Sequence, residues 1–432
     1  MTDPDPEAAR YLLPESQNRD IFLNEIVPEQ FDGRLPQQIP TVVFLVGQPG
    51  AGKTRVGHML ADALNKRGGF IDVDSDLYKP YHPEYAELMR QDDKLMAAYT
   101  RADGRRWMAQ AHDYVRENQL NAVIQETSQD GEAVASTMRA YRASGFRVEV
   151  VAMGVSEAMS NQGILNRYHE QVKERGSGRL TVQANADQSY AGILDLARLV
   201  DEQCLADHVS VFRRGEGEPR YANALDGAGR WEQPPALADA VEAERARPWG
   251  VPESADFLQS QGKLHTEMGP EWAGQLNRID LLAQQTLAPL TLLSDEDLVQ
   301  QLERVSAAAR TAKQSATQEQ APQTLVDERL NRLAEQGATP AELERARRSA
   351  REDLQYAAAR SAQAGQRAAG LHALAADIGG EQVRRTQLAP EVRQAEDAGR
   401  RHLAVLAAPA RQPVQHPPRI QPPKREGPSQ SL

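Results

Sequence analysis

Gly47-Gln48-Pro49-Gly50-Ala51-Gly52-Lys53-Thr54 follows directly on the apolar run Thr41-Val42-Val43-Phe44-Leu45-Val46. The run is rich in β-branched residues and reads as a buried strand, and Arg55 to Lys66 reads as the helix behind it. Between a strand and a helix, G-x-x-x-x-G-K-[ST] is a phosphate-binding loop. Its glycines let backbone N–H groups turn inward around phosphate oxygens. Lys53 is then expected to reach the β and γ phosphates. The Thr54 hydroxyl is expected to hold magnesium at the helix N-terminus. The whole octapeptide, Gly47, Gln48, Pro49, Gly50, Ala51, Gly52, Lys53 and Thr54, is thus the expected nucleoside triphosphate cradle.

Working outward, strand-like runs at Val42–Val46, Phe70–Val73, Ala122–Ile124 and Val148–Met153 alternate with helical segments. That alternation predicts an α/β fold, a mostly parallel sheet flanked by helices. Near residue 250 the composition changes. Strand signals vanish, and segments rich in Ala, Gln, Arg and Glu take over after Pro248-Trp249-Gly250-Val251-Pro252. The expected organisation is an N-terminal helical segment over 1–38, a nucleotide-binding domain over 39–250, an all-α region over 251–408 and a disordered Pro-rich tail over 409–432.

In the helical region, Ser294-x-x-Asp297 and Thr339-Pro340-Ala341-Glu342 are N-terminal capping patterns. They predict a long alanine-rich helix to about Ala368, then another around Glu381–Ala407 with Pro390 as an interruption.

Composition narrows the class. A net charge of −11 over 432 residues argues against general nucleic-acid binding. The single Cys204 excludes a disulfide framework and a cysteine-based metal cluster. The acidic start, Met1 to Glu7, has no apolar stretch of the kind a signal peptide carries, and no run is long enough for a membrane span. A soluble cytoplasmic protein is expected.

A phosphate-binding loop alone does not separate a GTPase, a motor ATPase and a small-molecule kinase. No Asn-Lys-x-Asp guanine-reading motif is present. A kinase needs a carboxylate beside the acceptor hydroxyl and cations on the transferring phosphoryl group. Asp72, Asp74 and Asp76 lie at the carboxyl end of the second strand run, where ligands bind in open α/β sheets. The strand is expected to stop near Asp74, with Asp76 in the following loop.

These residues carry a family resemblance. Gly47–Thr54 with Asp74-Ser75-Asp76-Leu77-Tyr78-Lys79-Pro80-Tyr81-His82-Pro83 resembles the zeta toxin family of bacterial P-loop kinases. The likeness continues through Ile124-Gln125-Glu126-Thr127, Thr137, Asn166-Arg167-Tyr168, Gly178-Arg179-Leu180-Thr181 and a hairpin-like Val209–Tyr221. It spans about residues 15–225 and does not extend beyond 250.

The resemblance implies an ATP-dependent phosphotransferase acting as a bacterial toxin on the 3′-hydroxyl of the amino sugar of UDP-N-acetylglucosamine. It implies Asp76 as general base, Lys53, Arg167 and Arg179 as the cations of transfer, and Asp74, Asp76, Glu126, Thr127 and Thr137 around the substrate. A separate antitoxin protein is the implied partner.

Two departures bear on the acceptor. Gln125 stands where the family usually has an acid, and Ala109-Gln110 where it has a second. A different nucleotide, a dinucleotide or an antibiotic stays open as acceptor. So does a nucleotide-switched interaction protein working through its helical half. For that half three roles stay open: inhibitor, delivery domain read by a secretion apparatus and exported to a target cell, or partner-binding arm. His82 reads first as a structural turn residue.

Overall fold

The computed structural model describes residues 8–91, 96, 98–318 and 323–407. The tail expected to be disordered, 409–432, lies outside the described residues, as do residues 1–7. Helix α1 (Glu15–Ile21) runs into a π-helical stretch, Phe22–Phe31. Strand β1 (Thr41–Val46) leads through the octapeptide into α2 (Lys53–Asn65). Strand β2 (Ile71–Val73) is followed by α3 (Ser75–Tyr78), α4 (Tyr85–Gln91) and α5 (Arg101–Glu117).

Then come β3 (Ala122–Glu126), α6 (Gly131–Ala143), β4 (Arg147–Met153), α7 (Glu157–Arg175) and α8 (Gln183–Gln203). A hairpin of β5 (His208–Phe212) and β6 (Pro219–Ala224) closes the sheet, and α9 (Leu237–Ala246) follows.

The six strands lie in the order β2-β3-β1-β4-β5-β6, all neighbours parallel except β5 and β6. Strand β1 is buried along its whole length, as a central parallel strand covered on both faces requires. Val42, Phe44 and Val46 face a core with Trp107, Tyr141 and Ile193. Val43 and Leu45 face the other side, where Val56, Leu64, Met159 and Leu165 pack.

That second core crosses residue 250. After α9 come α10 (Val251–Glu267), α11 (Ala273–Ala283), α12 (Pro289–Leu292) and α13 (Asp295–Gln318). The described residues finish with α14 (Gln323–Glu335), α15 (Pro340–Thr386) and α16 (Pro390–Ala407). Phe257, Leu258, Leu264, Leu276, Ile279, Leu287 and Leu403 are buried in one cluster with Val43, Leu45, Val151 and Met153 of the sheet. The change in composition near 250 is therefore not a break in packing. Helix α16 crosses α10 closely: a Cβ at Gly262 would overlap the Ala395 carbonyl, and one at Gly399 the Leu258 carbonyl.

The caps form as the sequence predicts. Asp297 N–H donates to Ser294 Oγ at 3.0 Å, and Thr339 N–H donates to the Glu342 carboxylate at 2.8 Å. Helix α15, however, reaches Thr386 rather than ending near Ala368. Gly365, Gly370, Gly379 and Gly380 weaken its intrinsic propensity. Leu371 and Ile378 pack against Leu298, Leu302 and Val305 of α13, and that contact carries the helix through. Pro390 likewise does not interrupt a helix. It is the first residue of α16, a position where its missing N–H costs nothing.

Candidate active site

The site is built on the carboxyl edge of the sheet. Gly50 and Gly52 have φ of +78° and +79°, the left-handed turns that bring the loop's N–H groups inward, and α2 starts at Lys53. Pro49 and Ala51 complete the turn, with Ala51 buried. The loop is pinned to α7: a Cβ at Gly50 would overlap the Ser160 carbonyl, and one at Gly163 the Gly50 carbonyl. Gln48 is buried, and its amide donates to the Val155 carbonyl at 2.8 Å and Ser160 Oγ at 2.7 Å. Its side chain thus anchors the loop, leaving its backbone to the cradle. Thr54 is exposed on the first turn of α2.

Lys53 Nζ donates to the Gly47 carbonyl at 2.6 Å. Burial pulls its pKa down from 10.5 to about 8, against the attraction of Asp74. Phosphate oxygens favour the ammonium, so triphosphate binding above pH 8 has to restore the proton. We expect ATP titrations at about pH 9 to show uptake of close to one proton, read from the dependence of heat on buffer ionisation enthalpy, and at about pH 7 almost none. Heats independent of buffer at the higher pH would remove Lys53 from the phosphate site.

Strand β2 ends at Val73, so Asp76 is not in a loop. Asp74 is the N-cap of α3, accepting the Asp76 N–H at 2.9 Å, and Asp76 sits in the first helical turn. Lys79 Nζ donates to Asp76 Oδ1 at 2.9 Å, and Arg179 donates to Oδ2. Burial raises the Asp76 pKa, but Arg179 and Lys79 outweigh it and hold the carboxyl below the ordinary range. Asp74 goes the other way, raised by burial and then by Asp76.

Arg167, on α7, donates to Thr181 Oγ1 at 3.1 Å. It interacts electrostatically with Arg179, Asp76 and Lys53. The structure therefore brings Lys53, Arg167 and Arg179 around Asp74 and Asp76.

Glu126 ends β3, and its backbone carbonyl accepts from Gly47 N–H at 3.0 Å. Burial pushes its carboxyl up to about 7, while the N–H groups of Ser128 and Thr127 and the charge of Lys53 oppose. Ser128 adopts φ +54°, turning the chain back over that carboxylate. Glu126, at the strand end, thus lies within electrostatic range of Lys53. Gln125, on the opposite face, donates weakly to Asp72 at 3.4 Å, and burial raises Asp72 to about 6.

Thr137 is less engaged: its hydroxyl donates to the Ala133 carbonyl within α6. Gln110 is tied to Asn18 at 2.9 Å. His82 Nε2 donates to the Tyr11 carbonyl at 3.0 Å and Nδ1 accepts from Glu84 N–H at 3.2 Å, a structural arrangement beside buried Asp103.

Two basic residues at the site escaped the sequence reading. Lys79 lay within the quoted segment, but nothing local announced that it folds back onto Asp76. Arg214 follows β5, with its stem 3.2 Å from where a Cβ of Gly52 would stand. Its guanidinium donates to the carbonyls of Met159 at 3.0 Å and Gly50 at 3.3 Å. A basic pair, Arg213-Arg214, at the carboxyl end of a parallel strand was the available signal.

A phosphate-binding loop on the central strand of a mostly parallel sheet, facing a carboxylate ringed by cations, defines a P-loop domain of kinase-like architecture. Residues 29–226 match the family model described as Zeta toxin. Toxin zeta of Streptococcus pyogenes is 26% identical over 146 residues, 34% of this chain and 50% of that protein. Toxin PezT of Streptococcus pneumoniae serotype 4 is 21% identical over 183 residues, 42% of this chain and 72% of that protein.

The chain thus spans about half the length of the first of these curated relatives. A solved structure from the characterisation of the PezAT chromosomal toxin-antitoxin system of Streptococcus pneumoniae overlays with a TM-score of 0.49 at 18% identity. That overlay covers 62% of this chain and 98% of the other. Among the described residues, no helix is long and apolar enough to cross a membrane.

Proposed function

We propose that this protein is an ATP-dependent kinase that phosphorylates a hydroxyl of a nucleotide-linked acceptor and acts as a toxin. The amino-sugar 3′-hydroxyl of UDP-N-acetylglucosamine is the first acceptor to test. One observation carries the reading: Asp76 is held between Lys79 and Arg179, with Arg167 and Lys53 in the same electrostatic cluster. Asp76, kept ionised, takes the proton of the acceptor hydroxyl. Lys53, Arg167 and Arg179 hold the γ-phosphoryl oxygens, the arginines through planar forks that suit them.

The left-handed glycines and the lysine at the helix start fit a triphosphate. The exposed Thr54 hydroxyl on the first turn of α2 suits a magnesium ion shared with phosphate oxygens, which supplies charge neutralisation when bound. Asp74, Glu126 and Thr127 line the acceptor side, and Thr137 is assigned there by the resemblance alone. A separate antitoxin protein is the proposed partner.

The test is to incubate the full chain with ATP, magnesium and a panel of nucleotide sugars, dinucleotides and antibiotics, and to identify products by mass. One acceptor gaining a single phosphoryl group is the expected result. Formation of ADP with no phosphorylated acceptor would instead favour a nucleotide-switched interaction protein.

A further inference from the structure

Helix α7 touches three parts of the molecule at once. Its first turns hold the phosphate-binding loop, through Ser160 with Gln48, the Gly50–Gly163 contact, and Arg214 bridging the Met159 and Gly50 carbonyls. Its middle carries Arg167. Its second half is bonded to α10 and packs on the Trp272 turn before α11, in the region whose sequence gave no chemical signal. There Lys263 Nζ donates to Glu170 at 2.6 Å. His169 Nε2 and Lys173 Nζ both donate to Glu267 Oε2, at 2.7 and 2.8 Å.

Tyr168 and Trp272 pack with ring centroids 5.1 Å apart. Gln162, buried, donates to the Phe257 carbonyl at 2.9 Å and to Gln261 Oε1 at 3.1 Å. Arg278 reaches back to Glu157 at 2.8 Å. Leu165 and Leu180, on either side of Arg167 and Arg179, pack with Leu276 and Ile279 in one cluster.

We infer that α10 and α11 are a brace for the arginine-bearing helix, and that Glu267 and Trp272 are positioning residues acting through Arg167. The anchors immediately follow Arg167: Tyr168, His169 and Glu170 occupy the next three places on α7, and each contacts α10 or the Trp272 turn before α11. A helix held at both ends fixes the position of the Arg167 guanidinium beside Thr181 and the Lys53–Asp76–Arg179 cluster. Released at one end, it keeps the loop contacts and loses the arginine's aim. The second core serves the site as well as stability, and the helical half is part of the phosphate-binding machinery. The inference rests on the reading of Arg167 as a γ-phosphate ligand.

The experiment uses the full chain and two probes, a non-hydrolysable ATP analogue and ADP, each with magnesium, by calorimetry. Glu267→Gln with Trp272→Ala should weaken the analogue about tenfold and ADP less than about twofold, a gap of at least about fivefold or roughly 1 kcal/mol. In an Arg167→Ala background the same pair should add nothing, because the arginine it positions is gone. Equal losses on both probes, or additive losses with Arg167→Ala, would overturn the brace.

If Trp272→Ala lowers the folded yield, the isosteric Glu267→Gln alone carries the test. Should Arg167→Ala itself leave the preference for the triphosphate intact, it is the phosphate-clamp reading that fails. Deuterium exchange over residues 163–173 then decides the brace. Faster exchange in the brace variant supports it, and unchanged exchange overturns it.

Discussion

Asp76→Asn should lower phosphoryl transfer by about a thousandfold while ATP binding is kept or tightened, given the 10²–10⁴ typical of a positioned general base. The substitution preserves shape and removes the charge that accepts the proton. It also removes the anion that Lys79 and Arg179 hold, so Arg179 becomes free to engage phosphate. Loss of rate with retained affinity is the signature of an interaction made in the transition state only.

The pH dependence follows from the same geometry. Burial works against the charge on Asp76, but Arg179 and Lys79 prevail and depress its pKa. Asp76 is therefore ionised throughout the neutral range, and with Asp76 as the proposed base the acid limb of activity lies below the ordinary carboxylate range. Arg179→Ala should move that limb upward. Near-full turnover by Asp76→Asn would exclude Asp76 as the base.

Deleting residues 260–432 should unfold the kinase-like half rather than release it. The cut removes Leu264, Leu276, Ile279, Leu287 and Leu403, all buried with Val43, Leu45, Val151 and Met153 of the sheet. At about 2 kcal/mol for each such side chain, the loss is on the order of 10 kcal/mol, the size of a whole domain's stability. Solubility and thermal melting of the truncated chain check this. A truncated chain that stays folded and becomes more toxic would identify the helical half as an inhibitor instead.

The octapeptide, the strands, the hairpin and both helix caps were legible in the sequence because each rests on a local pattern. The acidic segment after β2 was legible too, but its local form was not. Asp74 caps a helix, and the resulting turn points Asp76 at Lys79 and Arg179. Partners distant in sequence left no such trace. Arg214 meets Gly50 across 164 positions, and Glu126 comes within electrostatic range of Lys53 where β3 ends beside the loop. The end of α15 was missed for the same reason, since α13 sustains it against its own glycines. The packing across residue 250 joins apolar side chains that, read along the chain, look like two unrelated halves.

The cations of the site each have a partner within the protein: Lys53 the Gly47 carbonyl, Arg179 Asp76, and Arg167 Thr181. Such an arrangement filters anions by valence. A chloride or a single phosphate group can win over one of these donors and gains little against the bonds it breaks. A nucleoside triphosphate offers oxygens to several of them together, so opening one contact makes the next easier to open. On the proposed function, a polyphosphate chain competes with Asp76 for the Arg179 guanidinium.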